Sequence, residues 1–180
     1  MRRFDGSGDY NRSWDEYKQG FGDASGEYWL GNEYLHYLTS NRAYKLRFNL
    51  EDWDGNTTYA EYSSFRVTSE ADNYRLLLGD YTGNASADQA FDISGGFLYH
   101  NNSQFSTNDR DNDLDASSSC AQAYNQGGFW YKSCFTINPT SIGCTSEAAA
   151  SCSVFEHIRW NSSQIRTFIK KITMMLRPAA

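Results

Sequence analysis

Phe105-Ser106-Thr107-Asn108-Asp109-Arg110-Asp111-Asn112-Asp113-Leu114-Asp115 is the sharpest local signal in this chain, with carboxylates at four alternate positions. Like charges at such short range repel. The run is therefore either a solvated acidic turn or a loop that holds a hard cation. Ca²⁺ suits it, because that ion takes roughly six to eight oxygens in flexible geometry. An EF-hand does not fit: counting from Asp109, the sixth position must be Gly and is Leu114, and the twelfth must be Glu and is Cys120. Spacing alone leaves the calcium loop and the solvated turn both open.

Just beyond lie the cysteines. Cys120, Cys134, Cys144 and Cys152 all fall in the C-terminal third, with 13, 9 and 7 residues between them. No zinc ribbon or CxxC pair has these gaps, and four cysteines allow three pairings. Five N-x-[ST] sequons occur, at Asn11, Asn56, Asn84, Asn101 and Asn161, while proline disqualifies Asn138-Pro139-Thr140. Even cysteine number and sequons together point to a secreted, disulfide-bonded protein. From about Asp80 to Trp160 periodicity fades into Gly, Asn, Ser and Asp. So long a stretch of loop inside a domain signals function or an external staple, which the cysteines and the acidic run can supply.

Upstream the chain is periodic. Ser13-Trp14-Asp15-Glu16 is a capping box, and Gly20 stops the helix it starts, predicted over about 14–20. Asn32 is expected to cap a second helix with Tyr34, Leu35 and Leu38 on one face. Tyr44, Leu46, Phe48 and Leu50 then alternate with Lys45, Arg47 and Asn49, a half-buried strand. Asp54-Gly55 turns the chain into two further predicted strands, Thr57–Tyr62 and Ser64–Thr68, and Tyr74–Leu78 reads as another. Thr167–Leu176 is β-rich. Past Glu156 there are no acids, but Arg159, Arg166, Lys170, Lys171 and Arg177 are present. They read as the solvent face of that strand or as an anionic docking strip.

The whole chain of 180 residues is 39% apolar and 16% aromatic, too aromatic for disorder. A net charge of −6 argues against a nucleic-acid binder. No apolar run spans a membrane and Met1-Arg2-Arg3-Phe4 opens no signal peptide. His36, His100 and His157 are scattered, with no metal spacing, nucleophile elbow or phosphate loop. An enzyme is not expected.

Ten segments in order resemble one family, the fibrinogen C-terminal (fibrinogen-related) domain. They are Arg3-Phe4-Asp5-Gly6-Ser7, Tyr17-Lys18-Gln19-Gly20-Phe21-Gly22, Glu27-Tyr28-Trp29-Leu30-Gly31-Asn32, Glu51-Asp52-Trp53-Asp54-Gly55, Tyr59-Ala60-Glu61-Tyr62, Phe65-Arg66-Val67, Tyr81-Thr82-Gly83-Asn84-Ala85, Phe105–Asp113, Gly128-Phe129-Trp130-Tyr131-Lys132-Ser133-Cys134 and Arg177-Pro178. The resemblance implies an α+β fold with a twisted antiparallel β-sheet, short flanking helices and a loop-rich calcium-binding subdomain. It divides a single domain over 1–180 into a sheet and helix part (1–80), a loop-rich calcium and ligand part (81–166) and a returning strand (167–178). It moves the acidic run to calcium, with side chains of Asp111 and Asp113 and carbonyls of Asp115 and Ser117, or of Ala116 and Ser118. It implies a Cys120–Cys134 disulfide, leaving Cys144 to Cys152, and a cis peptide at Ser133-Cys134.

Departures from the family pattern matter as much. Members carry a further N-terminal segment with its own disulfide, so this chain is expected to be truncated, with upstream regions forming a homo-oligomer. The family's pocket His is Phe135 here, and Val154-Phe155 stand where a pocket Tyr is expected. Tyr124, Phe135 and Phe155 then form an apolar slot for an acetyl group or merely pack the loop. The resemblance implies a secreted, calcium-dependent pattern-recognition domain for microbial glycans or acetylated groups. Its alternative is a protein–protein ligand module of growth-factor or matrix type.

Overall fold

The computed structural model describes residues 1–85, 97–124, 126–141, 158–161 and 166–179. Along the chain run β1 (Arg2–Arg3), α1 (Trp14–Gln19), β2 (Phe21–Gly22), β3 (Tyr28–Trp29), α2 (Asn32–Asn41), β4 (Tyr44–Asp52), β5 (Thr57–Val67), β6 (Leu76–Leu78), β7 (Tyr81–Gly83), α3 (Cys120–Ala123), β8 (Ile137–Asn138), β9 (Arg159–Asn161) and β10 (Arg166–Pro178). The strands pair antiparallel in the order β2-β3-β1-β10-β4-β5-β6, with β7 beside β5 and β9 joining β8 to β10. This is the α+β antiparallel architecture that the family resemblance implies. β10, last in sequence, sits mid-sheet between β1 and β4.

The alternation in β4 works as read: Leu46, Phe48 and Leu50 are buried. They share the inner face with Ala60, Tyr62, Phe65 and Val67 of β5 and with Ile172 and Met174 of β10. Aromatic edges fill the space beneath. Phe48 meets Phe97 at 4.9 Å and Trp160 at 5.1 Å, and Phe105 meets Trp130 at 5.2 Å. Each such pair adds about 0.5–1.5 kcal/mol beyond its burial.

Two predicted strands prove to be one. Thr57–Val67 is continuous, because Tyr44 faces Phe65 while Leu46 faces Tyr62, a bulge that leaves Ser63 and Ser64 both exposed. A bulge inserts one residue and breaks the period of two, which in sequence looks like a strand end. Asn73 and Tyr74 both have positive φ, so β6 begins at Leu76 rather than Tyr74.

α1 carries the complete capping box. The Glu16 carboxylate accepts the Ser13 backbone N–H at 2.9 Å, and the Ser13 hydroxyl accepts the Glu16 N–H at 3.4 Å. α2 differs from expectation. Gly31 (φ 107°) precedes it, and Asn32 is its first residue, buried, accepting the Trp29 indole N–H at 3.0 Å. A Cβ on Gly31 would sit 2.8 Å from the Gln19 carbonyl oxygen, so only glycine lets α2 start there. Leu35 and Thr39 face inward, whereas Tyr34 is 62% exposed and does not join the buried face.

Two buried charges tie the amino-terminal loop to the rest. The Glu27 carboxylate accepts backbone N–H groups of Phe4, Asp5, Gly6 and Gly8 at 2.6–3.0 Å. Arg3, on β1, donates to the carbonyls of Pro139 and Ser141 and lies 4.9 Å over the Tyr10 ring. Among the described residues, no helix is long and apolar enough to cross a membrane.

Candidate functional site: the acidic loop and the aromatic segment beside it

The acidic run does not act as a unit. Asp109 turns back to the start of α1, accepting the Trp14 N–H at 2.9 Å and the Thr107 hydroxyl at 2.7 Å. Arg110 lies 3.9 Å over the Trp14 ring and donates to Asn73 at 2.7 Å. Asn112 is spent on the loop itself, donating from its amide to the Phe105 carbonyl at 2.8 Å.

That leaves Asp111, Asp113 and Asp115, whose carboxylates each accept the N–H two residues on. Asp111 accepts the Asp113 N–H at 3.1 Å, Asp113 the Asp115 N–H at 2.8 Å and Asp115 the Ser117 N–H at 2.9 Å. Asp113 also accepts the Cys120 N–H at 2.7 Å, fastening the loop to α3. Burial raises the Asp113 pKa, the N–H groups of Cys120 and Asp115 oppose that, and the like charge of Asp111 adds to the rise. The Ser117 hydroxyl and N–H hold the Asp115 carboxyl below its usual range. A half-buried carboxylate whose neighbouring charge has its own sign is a donor set that a hard cation would relieve. Asp111 and Asp113 fit Ca²⁺ on that ground. Asp115 and the disulfide sulfurs also lie together, but sulfurs bonded to each other carry no thiolate charge for a metal.

The loop is closed by the Cys120–Cys134 disulfide, across 14 residues. Ser133-Cys134 is a cis peptide bond. The Ser133 carbonyl accepts the Tyr99 hydroxyl at 3.2 Å, and Lys132 sits 5.1 Å over the Tyr99 ring. Leu114, at the head of the acidic loop, is 64% exposed, its N–H bound to the Lys132 carbonyl at 2.8 Å.

Phe135 is buried, with the Tyr124 ring edge-on at 5.5 Å and Tyr131 at 5.7 Å. Tyr124 and Phe135, two of the three rings expected to form an apolar slot, are thus brought into contact. Phe155 lies outside the described residues, as do Cys144 and Cys152. Of the sequons, Asn11, Asn56 and Asn84 are exposed, Asn101 is half-buried and accepts the Leu78 N–H at 2.9 Å, and the Asn161 side chain lies outside the described part of the molecule.

Sequence reasoning missed the groups that hold this region. His100 is fully buried, which pushes its imidazole down to about 3. Neutral, with its proton on Nδ1, it donates to the Trp130 carbonyl at 2.8 Å, while Nε2 accepts N–H groups of Thr136 and Ile137 at 3.4 Å. Beside it the Asn138 amide donates to Gln126 and its oxygen accepts the Thr140 N–H and hydroxyl at 3.2 and 3.0 Å. All three residues are buried. The one signal available was polar residues standing in an aperiodic, aromatic stretch, which does not say what they bond.

The model of the family described as fibrinogen beta and gamma chains, C-terminal globular domain, matches residues 1–179. Human angiopoietin-related protein 2 is 40% identical over 179 residues, covering 99% of this chain and 34% of that protein. The chain spans a third to a half of the length of the curated relatives it matches. The fibrinogen-like globe domain of human ANGPTL2 superposes with a TM-score of 0.86 at 40% identity, over 100% of this chain and 79% of that one. A lamprey fibrin D-dimer complexed with the peptide Gly-His-Arg-Pro-amide superposes with a TM-score of 0.74 at 32% identity, over 99% and 60%.

Proposed function

This protein belongs to the family of C-terminal globular domains found in fibrinogen beta and gamma chains, and we propose that it is a secreted, calcium-stabilised recognition module whose partner is a protein. The observation that carries this reading is Phe135. It stands where sugar-binding members place a histidine, and it packs its ring against Tyr124 and Tyr131 and offers no polar atom to a ligand. A site that has lost a buried polar partner changes selectivity by orders of magnitude. The groups turned outward are instead Leu114, 64% exposed, with the Tyr99 and Lys132 side chains nearby. An exposed leucine among charged and aromatic neighbours suits a protein contact. A peptide-bound fibrin relative and an angiopoietin-related one support this reading over the glycan or acetyl-group lectin.

In this proposal Asp111 and Asp113 hold Ca²⁺ by their side chains, with Asp115 and Ser117 supplying carbonyls. The ion does not touch the partner. Its charge offsets the two carboxylates and fixes the loop, so Leu114 is presented without an ordering cost at binding. The role is recognition without chemistry. Tethering several copies through other parts of a longer protein would multiply a weak single contact.

Two measurements test this. With excess soluble sulfated polysaccharide present to suppress charge-driven attachment, labelled domain on intact cells should lose its binding when surface proteins are digested and keep it after enzymatic removal of glycans, and Leu114→Ser should weaken it about tenfold. Survival on protease-treated cells, or competition by free acetylated sugars, restores the lectin reading. For the ion, calcium at a hundredfold excess over Kd should add about 2.7 kcal/mol. Asp111→Asn should abolish that gain while melting no lower than the parent in EDTA, because it removes the like charge beside Asp113. Identical melting of the parent in calcium and in EDTA removes the metal from the proposal.

A further inference from the structure

We propose that the solvent face of the sheet, turned away from the core, is a second binding site, and that its ligand is a sulfated polysaccharide. Strand register settles which side chains share this face. Lys171 stands opposite Glu51, Thr173 opposite Asn49, Met175 opposite Arg47 and Arg177 opposite Lys45. Across the next pairing Asn49 meets Tyr59 and Arg47 meets Glu61. The residues between them, Leu46, Phe48, Leu50, Ile172 and Met174, are buried on the other face.

The charge of this face runs against the molecule. Lys45, Arg47, Lys171 and Arg177 outnumber Glu51 and Glu61, and Arg2, opposite Thr173 on β1, extends the excess. The protein as a whole carries −6. The two glutamates are already shared. Glu51 takes Lys171 at 2.7 Å, and Glu61 takes Arg47 at 3.7 Å and Arg177 at 3.4 Å. Lys45 makes no ion pair among the described residues. An acidic protein repels a polyanion everywhere except at such a patch, so attraction is confined to it.

The shape and lining choose among anionic partners. A groove of about 460 Å³ runs over β10, β4 and β5, walled by Arg47, Lys171, Asn49, Tyr59, Asn84 and Glu51, whose carboxylate is engaged by Lys171. The Arg47 guanidinium stacks on Tyr59 at 4.2 Å and donates from Nε to Asn49 at 2.9 Å, which holds its remaining donors in place. Arg47 and Lys171 side chains are 42% and 43% exposed, within reach of a ligand. Amides, hydroxyls and cations suit the hydroxyl and sulfate groups of a polysaccharide, and the guanidinium fork matches a sulfate oxygen pair. Met175, at 37% exposure, is the one exposed large apolar residue among those lining this face, so the face offers little to an amphipathic segment or an inserting membrane anchor, and purely charge-driven capture of an acidic chain or an anionic bilayer is separated by the test.

The face lies across the sheet from the aromatic core that anchors the acidic loop, so the two sites are independent. The test is binding of the folded, secreted domain to immobilised heparin, in calcium and in EDTA, with fully desulfated heparin as control. The expected result is salt-sensitive retention on heparin in both buffers and none on the desulfated polymer. Lys45→Gln/Arg177→Gln should weaken it about tenfold, by loss of two charges from a screened patch. Arg177 is 68% exposed and its pair with Glu61 contributes little to folding. If the double variant melts early, Lys45→Gln alone should still weaken binding several-fold. Flow-through on heparin, retention that EDTA abolishes, variants as tight as the parent, or capture by polyglutamate or anionic vesicles in place of heparin each overturn the proposal.

Discussion

The sheet and the segment from Phe97 to Ser141 both send fully buried side chains into the core, but they are held by different means. In β4, β5 and β10 the backbone satisfies itself across the ladders, and side chains are free to alternate between core and water. Between Phe97 and Ser141 the described regular structure amounts to a 3₁₀ turn, the short helix α3 and the two residues of β8. There the backbone bonds to itself only in scattered pairs, such as Ser106 with Phe129 and Gly127 with Thr140, and otherwise to side chains: Trp130, Thr136 and Ile137 to His100, Phe105 to Asn112, Cys120 to Asp113 and Thr140 to Asn138. Apolar packing is common to both regions, since Trp130 and Phe129 are as buried as Phe48. The difference is that the loop region leaves part of its backbone hydrogen bonding to specific polar residues, and a buried polar group with one partner removed costs more than the bond contributed.

Substitutions should separate the two regimes. Phe48→Ala removes a ring that touches Tyr62, Phe97 and Trp160, and should cost about 3–5 kcal/mol in a single global transition, by chemical denaturation. Asn138→Ala should cost less, about 1–3 kcal/mol, by stranding the Gln126 and Thr140 groups. Its signature is local: hydrogen exchange should accelerate around 126–141 while β4 and β5 stay protected. Equal loss of protection in both regions would mean that the division between them is false.

A smaller effect separates them by pH. His100 is neutral in the fold with a pKa of about 3, against an ordinary value of 6.5. The unfolded chain binds a proton between those values and the folded one does not, so stability falls as pH drops through that window. From pH 7 to pH 5 the loss should be on the order of 2 kcal/mol. His100→Gln, which keeps a donor and an acceptor, should be less stable at pH 7 but should flatten this slope. An unchanged slope would assign the acid sensitivity to other groups. Smallest of all, Ser13→Ala should cost about 1 kcal/mol of thermal stability by removing the cap of α1.

Much of the sheet was legible because its signals are local. The period of two in β4 and the Ser13–Glu16 box depend on residues a few positions apart. Where local rules erred, a tertiary contact had intervened. Asn32 has the right chemistry for a cap, but its side chain is taken by the Trp29 indole. Ser63 and Ser64 look like a strand end because a bulge costs the pattern one residue. Tyr34 fits the helical period of Leu35 and Leu38, yet α2 rests on Leu35 and Thr39, a rotation that only the surface beneath it selects.

Residues close together along the polypeptide suffice for the family, the antiparallel sheet, the first helix and the acidic character of the loop, because periodicity, capping and motif order are written in neighbours. It took folding in three dimensions to send Asp109 to α1 while Asp111 and Asp113 face each other, and to cover Phe135 with Tyr124 and Tyr131. Folding likewise brought Arg3 to Pro139, 136 positions away. Hydrogen-bond partners and charge neighbours at such separations are chosen by topology, and no spacing rule along the sequence encodes them.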